Sequence, residues 1–191
     1  MQAISKTVLT LFISFAVMAA APETPQPPLP PSGGALVLGE LHGSREVPDL
    51  FLAMVQDYIA EGKQPIVALE LPPSAGTLDC PFVSADNLSP YWRNDYQDGR
   101  TSLAMAELIC TLKPLAAADD LKLLFMDDEK RPGSFDSDAA KRIAMLLDGS
   151  AKHAFILTGN YHSRNAPESI NGQLQSLGIK TTSVTVGAPK A

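Results

Sequence analysis

The sequence predicts an α/β protein with a mostly parallel sheet and helices on both faces of that sheet. Short, continuous apolar runs recur along the chain, without the polar alternation of a sheet that faces water on one side. Segments with the apolar spacing of amphipathic helices separate these runs. Strands that alternate with helices in this way pair in parallel through right-handed crossovers.

Five segments are predicted to be strands. The first four are short and largely apolar, as expected for strands that are covered on both faces. The fifth is more polar, so we assign it to an edge of the sheet. The five segments are 35–38, 66–69, 121–126, 154–157 and 181–186.

Four segments are predicted to be helices. The first has apolar residues at i, i+3, i+4 and i+7, Ser44 placed to cap its start, and Gly62 placed just after its end. The second is expected to stop before Pro114, because proline cannot donate a helical hydrogen bond. The predicted helices are 47–59, 102–112, 137–147 and 167–177.

Composition limits the functions that this chain can have. Its 191 residues include 15 basic and 21 acidic side chains, which give a formal net charge of −6, and 45% of the residues are hydrophobic. The acidic balance excludes the basic footprint of a nucleic-acid-binding protein. The apolar fraction is too high for an intrinsically disordered chain.

The N-terminus predicts export. Lys6 precedes an apolar run, 8–21, which is shorter than the ~20 residues that span a bilayer and ends in alanines. This is the pattern of a secretory signal peptide. We therefore expect a signal peptide at 1–20, a proline-rich linker at 21–34 and a single domain at 35–191. The mature protein would be periplasmic or secreted, with no stable membrane anchor after signal cleavage.

Residues 72–100 break the alternation of strands and helices and are interpreted as an insertion or lid. In an exported protein the two cysteines, Cys80 and Cys110, are expected to form a disulfide, which would tie this segment to the second helix. Arg100, just before that helix, is a candidate clamp for an anionic substrate group.

A plainer interpretation of the same segment stays open. In that interpretation Asp98 caps a turn, Ser102 caps the second helix, and Trp92 packs into the core.

Candidate catalytic residues lie where the strands end. Two Gly-x-x-His motifs follow the first and fourth strands and contain His42 and His162. Acidic residues also occur where strands end: Glu40 in the first motif, Glu70 after the second strand and Asp127 after the third. Ligands of open α/β sheets bind beyond the carboxyl ends of the strands, so we expect these side chains to converge.

Two chemistries are open for this cluster. His42, Glu70 and His162 are candidate ligands of a divalent metal, which would lower the pKa of bound water. Without a metal, a histidine oriented by Glu40 or Glu70 would act as a general base. The third histidine, His153, precedes its strand and is interpreted as structural. The candidate substrate-binding residues are Asn160, Tyr161, Arg164, Asp127 and Arg100.

Three stretches, 38–46, 68–70 and 158–162, resemble the superfamily that joins ChaN-type haem-binding uptake proteins, erythromycin-esterase-like proteins and Tiki/TraB proteins. The common features are paired Gly-x-x-His motifs at strand ends and a glutamate after the second strand. The resemblance implies an α/β fold with its site at the carboxyl ends of the strands. The residues that it implies for that site are Glu40, His42, Glu70 and His162.

The branches of this superfamily differ in activity, and three functions are expected in the following order. The first is an exported hydrolase, metal-assisted or with a histidine base, of an ester or amide in a small-molecule or peptide substrate. The second is a ChaN-type haem- or iron-binding uptake protein with Tyr161 or His162 as axial ligand. The third is a non-catalytic interaction domain.

Overall fold

The computed structural model describes residues 27–81, 88–93, 98–127 and 135–187, which form an α/β fold around a five-stranded, all-parallel sheet. The order of the strands across the sheet is β3-β2-β4-β1-β5. The predicted class and the edge position of the fifth strand are confirmed. The strands are β1 (Ala35–Glu40), β2 (Ile66–Leu69), β3 (Lys122–Phe125), β4 (Ala154–Gly159) and β5 (Thr181–Thr185).

Helices connect the strands on both faces. Each predicted helix is found, and two further elements, α4 and a 3-10 helix, were not predicted. Four-residue and five-residue segments are too short to show an apolar periodicity in the sequence. The helices are α1 (Glu46–Ala60), α2 (Leu103–Ala117), α3 (Phe135–Leu147), α4 (Asn160–Ser163) and α5 (Ile170–Ser176), with the 3-10 helix at Pro73–Thr77.

Two predictions about helix ends are wrong. Helix α2 continues past Pro114, because a proline so close to the end removes one donor while its own carbonyl still accepts from the N–H of Ala118, at 3.0 Å. Ser44 does not cap α1: Arg45 occupies the N-cap position. The buried hydroxyl of Ser44 has no hydrogen-bond partner among the described residues.

The three inner strands, β1, β2 and β4, are covered on both faces, which explains their continuous apolar runs. The third strand was predicted to be covered as well, but β3 lies at the other edge of the sheet, where Lys122 is exposed and the rest of the strand is half-buried. All six residues of β1 and all six of β4 are buried. Leu36 and Leu38 belong to a core that includes residues of α1 and α2, whereas Ala35 and Val37 belong to a second core with residues of α3 and α5. Alternate side chains of one strand thus enter two different cores.

The register of the sheet aligns the ends of the strands at one edge. Glu40 of β1 pairs with Gly159 of β4. On the other side of β4, Leu69 of β2 pairs with Leu157, and Leu69 also pairs with Phe125 of β3. The residues that follow these positions leave the sheet together at what we call the carboxyl edge.

The predicted insertion packs against α2. The Cys80–Cys110 disulfide is confirmed, with the two Cα atoms 5.4 Å apart. The indole N–H of Trp92 donates to the carbonyl of Ala75 at 3.1 Å, and the Lys113 ammonium donates to two carbonyls near the 3-10 helix. The described part of the insertion is therefore attached to α2 by the disulfide and by the hydrogen bonds of Lys113.

The second half of the predicted linker contacts the opposite, amino edge of the sheet. The carbonyl of Pro30 accepts from Nε2 of His153 at 2.7 Å, and the N–H of Gly33 donates to the carbonyl of Lys152 at 3.1 Å. The predicted signal peptide, 1–20, lies outside the described residues. Within the described part of the chain, no helix is both long and apolar enough to cross a membrane.

Candidate active site

Glu70 lies at the centre of the carboxyl edge and is 8% exposed. Its Oε2 atom accepts hydrogen bonds from the hydroxyl of Thr158 and the N–H of Gly159, both at 2.5 Å. Its Oε1 atom faces Nε2 of His42 at 3.9 Å and Nε2 of His162 at 3.6 Å. The carboxylate is thus fixed by β4 and presents one oxygen to both histidines.

His42 follows β1 and is held by the last residue of that strand. Its Nδ1 atom lies 2.9 Å from Oε1 of Glu40, which is 3% exposed. The hydrogen bond to Glu40 raises the pKa of His42 above its ordinary 6.5, burial lowers it less, and the charge of Glu70 raises it further. Glu40 therefore fixes the ring and leaves Nε2 directed at the centre of the site.

His162 lies in α4 and has an orienting carboxylate of its own. Its Nδ1 atom is 2.8 Å from Oδ1 of Asp136, in the first turn of α3. Burial lowers the pKa of His162, but the hydrogen bond to Asp136 and the charge of Glu70 outweigh burial, so the pKa is raised above 6.5. The site thus contains two histidine–carboxylate pairs that share Glu70.

Sequence reasoning missed Asp136. An acidic residue in the first turn of a helix usually interacts with the helix dipole, and nothing in the local sequence distinguishes Asp136 from such a residue. Its neighbour Phe135 was missed as well: the ring of Phe135 contacts that of His162 edge-on, with centroids 4.9 Å apart. Only the tertiary placement of α3 brings these two residues to His162.

Arg100 reaches the site from the insertion. Its Nη1 atom lies 3.6 Å from Oε1 of Glu70 and 3.6 Å from Oδ2 of Asp127. Its Nε and Nη2 atoms lie 2.8 and 2.6 Å from Oδ2 of Asp98. The carboxylate of Asp98 raises the pKa of Arg100. Burial raises the pKa of Asp98, but hydrogen bonds from Arg100 lower it by more.

The turn that carries Arg100 packs directly on the loop that carries His42. Gly99 between them has φ +92°, and a Cβ atom built there would lie 2.5 Å from the carbonyl carbon of His42. Only glycine combines this backbone conformation with such a close approach. The plainer interpretation of the segment also holds: Ser102 caps α2 by accepting from the N–H of Met105, and Trp92 is buried.

A second glycine leaves space in front of His42. A Cβ atom built on Gly159 would lie 2.9 Å from Nε2 of His42 and 3.5 Å from Oε2 of Glu70. The glycine of the second Gly-x-x-His motif therefore allows the end of β4 to approach the imidazole of the first.

The remaining candidate residues lie around this centre. Asn160 donates from Nδ2 to the carbonyl of Val186 at 2.7 Å, which ties α4 to the segment after β5. Tyr161 is 59% exposed and contacts the ring of His162 edge-on at 5.3 Å. The guanidinium of Arg164 lies 3.6 Å over the ring of Tyr161 and also pairs with Glu168. These residues border the site without reaching Glu70.

The predicted metal site has an unfavourable neighbour, the guanidinium of Arg100. In the described part of the chain, no group of three or more His, Cys, Asp or Glu side chains is placed to hold a metal ion. The oxygen of Glu70 that faces both histidines also faces the Arg100 guanidinium at 3.6 Å, and this positive charge opposes a divalent cation at the same point. The metal site at His42, Glu70 and His162 stays a prediction that this geometry does not favour.

No family model, no curated protein and no solved structure matches this chain. The resemblance carried by the Gly-x-x-His motifs therefore stays a prediction.

Proposed function

We propose that this protein hydrolyses ester or amide bonds, with a histidine base that activates water directly. One observation carries the proposal. His42 and His162 each bind a carboxylate through Nδ1, and both direct Nε2 at the same oxygen of Glu70. An imidazole whose one nitrogen is fixed by a carboxylate and whose other nitrogen faces an open site is equipped for general acid–base catalysis.

His42 is assigned as the general base. Glu40 accepts the Nδ1 proton of its neutral form, so that the lone pair of the neutral ring is on Nε2. The two Nε2 atoms lie 3.9 and 3.6 Å from Oε1 of Glu70, which is longer than a direct hydrogen bond, so both stay able to bind a reacting water beside this carboxylate. The raised pKa of His42 strengthens it as a base.

Arg100 and His162 supply the remaining steps of the hydrolysis. Water attacks the carbonyl carbon, and its proton passes to Nε2 of His42, whose imidazolium is stabilised by Glu40. Nη1 of Arg100 donates to the oxyanion of the tetrahedral intermediate. Protonated His162, stabilised by Asp136, gives its proton to the leaving alcohol or amine as the bond to carbon breaks.

The test is turnover by the full-length mature protein on p-nitrophenyl esters and chromogenic peptide amides, with a chelator and then with added Zn²⁺, Mn²⁺ or Mg²⁺. We expect turnover that resists the chelator. Loss of turnover in the chelator and its recovery with one ion would replace the histidine-base mechanism by the metal-assisted one. Absence of turnover under every condition would reject a hydrolase and favour the non-catalytic interaction domain.

Haem binding stays a prediction from the resemblance. The Nε2 atom of His162 faces Glu70, and Arg164 covers one face of Tyr161, so neither side chain presents a free axial ligand in the described arrangement. A Soret shift on haem titration that disappears when both residues are replaced would establish this function instead. Export is proposed from the signal-peptide pattern, and the disulfide is consistent with it.

A further inference from the structure

An open cavity lies at the amino edge of the sheet, away from the candidate active site. Its volume is about 550 Å³, which is within the usual range for small-molecule sites. The six residues of β4 separate this cavity from the carboxyl edge, a distance of roughly 20 Å. The side chains of its wall include two lysines, an amide and two hydroxyls: Lys63, Lys152, Gln64, Ser32 and Ser150.

The wall of the cavity is a connected set of side-chain contacts. The ammonium of Lys152, just before β4, donates to the side-chain oxygen of Gln64, just before β2. The ammonium of Lys63 lies 4.9 Å from the centre of the Tyr58 ring. The hydroxyl of Tyr58 in turn donates to Nδ1 of His153 at 2.7 Å, and His153 follows Lys152 in the chain. These contacts keep both lysines at the same cavity.

The wall carries positive charge. No carboxylate is among the described residues that line the cavity. The contact of Lys152 is with a neutral amide, so it leaves the positive charge of this lysine in place. Lys63 also binds Glu61, which offsets part of the charge. Two ammonium groups at one cavity repel each other, and an anion bound there relieves this repulsion.

The residue types of the wall favour a phosphate over a carboxylate. Lysine binds a phosphate as a point charge, whereas two-point binding of a planar carboxylate uses the fork of an arginine. No arginine is among the described lining residues. The hydroxyls of Ser32 and Ser150 are further donors for phosphate oxygens. A cavity of this size also has room for an organic group attached to the phosphate.

We propose that this cavity is a second binding site of the protein, for the phosphate monoester of a small organic molecule. Lys152 and Lys63 supply the positive charge, and Ser32 and Ser150 supply neutral donors. Glu61 competes with the phosphate for Lys63 and therefore weakens binding. The site does not depend on the reaction at the carboxyl edge, so it stands or falls by binding alone.

Calorimetry on the full-length mature protein tests the site with four probes: ribose 5-phosphate, ribose, inorganic phosphate and ribonate, a sugar carboxylate. We expect ribose 5-phosphate to bind at least tenfold more tightly than ribose or ribonate, and inorganic phosphate to compete with it. Salt raised from about 0.01 M to about 1 M should weaken this binding, because ions screen partly exposed charges. No binding of ribose 5-phosphate, or tighter binding of ribose or ribonate, overturns the proposal.

Two variants with opposite expected effects locate the phosphate. Lys152→Met should weaken the binding of ribose 5-phosphate roughly tenfold, because it removes one ammonium group. Glu61→Gln should tighten the binding several-fold, since it frees Lys63, and a loss of folded protein could not produce this gain. The matched control is Lys141→Met, which removes an ammonium that pairs with Asp138 on α3 and should keep the wild-type affinity.

Two results would contradict this location. Wild-type affinity in both Lys152→Met and Glu61→Gln would show that the phosphate binds elsewhere. Loss of binding in Arg100→Gln would place the phosphate at the carboxyl edge. Either result overturns the proposal.

Discussion

The two edges of the sheet place histidines in contrasting surroundings. At the carboxyl edge, the side chains of His42 and His162 are 23% and 22% exposed, and each binds a carboxylate. At the amino edge, His153 is 8% exposed and lies between two neutral groups. The Tyr58 hydroxyl is 2.7 Å from its Nδ1 atom, and the Pro30 carbonyl is 2.7 Å from its Nε2 atom.

The contrast shows that the partners of a histidine decide what it can do. Both groups around His153 are satisfied, because Nδ1 accepts from the Tyr58 hydroxyl and Nε2 donates to the Pro30 carbonyl. Both ring nitrogens are then used inside the fold. A carboxylate on Nδ1 of His42 instead favours the protonated ring and leaves Nε2 at the site. The arrangement at His153 joins two segments of the chain, whereas the arrangement at His42 suits proton transfer.

Replacing one histidine at each edge should give the largest difference. We expect His42→Asn to lower kcat by about 10²–10⁴-fold, because it removes the general base. His153→Asn should leave the kcat of the remaining folded enzyme within a factor of about three, since it touches only the amino edge. Initial rates at matched folded fractions, with circular dichroism as the folding check, measure both. Similar losses in the two variants would remove the functional distinction between the edges.

Replacing the two carboxylates that orient the catalytic histidines should give the next largest loss of kcat. Asp136→Asn and Glu40→Gln keep the shape of each pair but no longer stabilise the imidazolium, and each should lower kcat roughly ten- to a hundredfold. Asp138→Asn is the matched control, because it lies in the same turn of α3 and pairs with Lys141 instead. If Asp136→Asn behaves like this control, then His162 is not the general acid.

The sequence was sufficient to predict the sheet and the convergence of the two motifs. The strand at 66–69 is recovered with the same bounds, because a buried parallel strand is a continuous apolar run between polar residues. Glu40 and Glu70 follow or end such runs, so the parallel register alone predicts that they approach His42. The role of His153 as a structural residue could be read from its position before a strand.

Most contacts that the site receives from outside the sheet could not be predicted. Asp136 lies on a helix, and its contact with His162 depends on how that helix packs. Arg100 was recognised as a candidate, but its occupation by Asp98 follows from the turn at Gly99 rather than from spacing. Helix α2 runs beyond Pro114 because local hydrogen bonds compensate for the lost donor. The first of these is a tertiary effect, and the other two depend on local hydrogen bonds that residue spacing does not reveal.

The amino edge has its own test, with a smaller expected effect. Tyr58→Phe removes the donor to Nδ1 of His153 and leaves a buried acceptor unpaired, which should lower the free energy of unfolding by about 1–3 kcal/mol. Urea denaturation measures the change, and activity per folded molecule should be unaltered. Tyr161→Phe, at an exposed ring, is the matched control and should change stability by less than about 0.5 kcal/mol. Equal effects of the two variants would show that the contact between Tyr58 and His153 does not stabilise the fold.

The smallest expected effect is a pH dependence of the free energy of unfolding, caused by the two histidines of the carboxyl edge. The folded protein raises the pKa values of His42 and His162 above their ordinary 6.5, so it binds their protons more tightly than the unfolded chain does. The stabilisation from this source is fully present below pH 6.5, while the carboxylates stay ionised, and is lost as the pH rises through the folded pKa values.

Urea denaturation between about pH 6 and pH 9, across the ordinary histidine pKa, measures how the free energy of unfolding changes with pH. Histidine variants then show which residues cause this slope. The stability of the wild type relative to His42→Asn should be greatest at the acid end of this range and should shrink as the pH rises. The double variant with His162→Asn should lose more of the slope than either single variant, because each histidine has its own carboxylate. A wild-type advantage that grows with pH would mean that the folded state holds these imidazoles neutral in spite of the carboxylate on each Nδ1 atom.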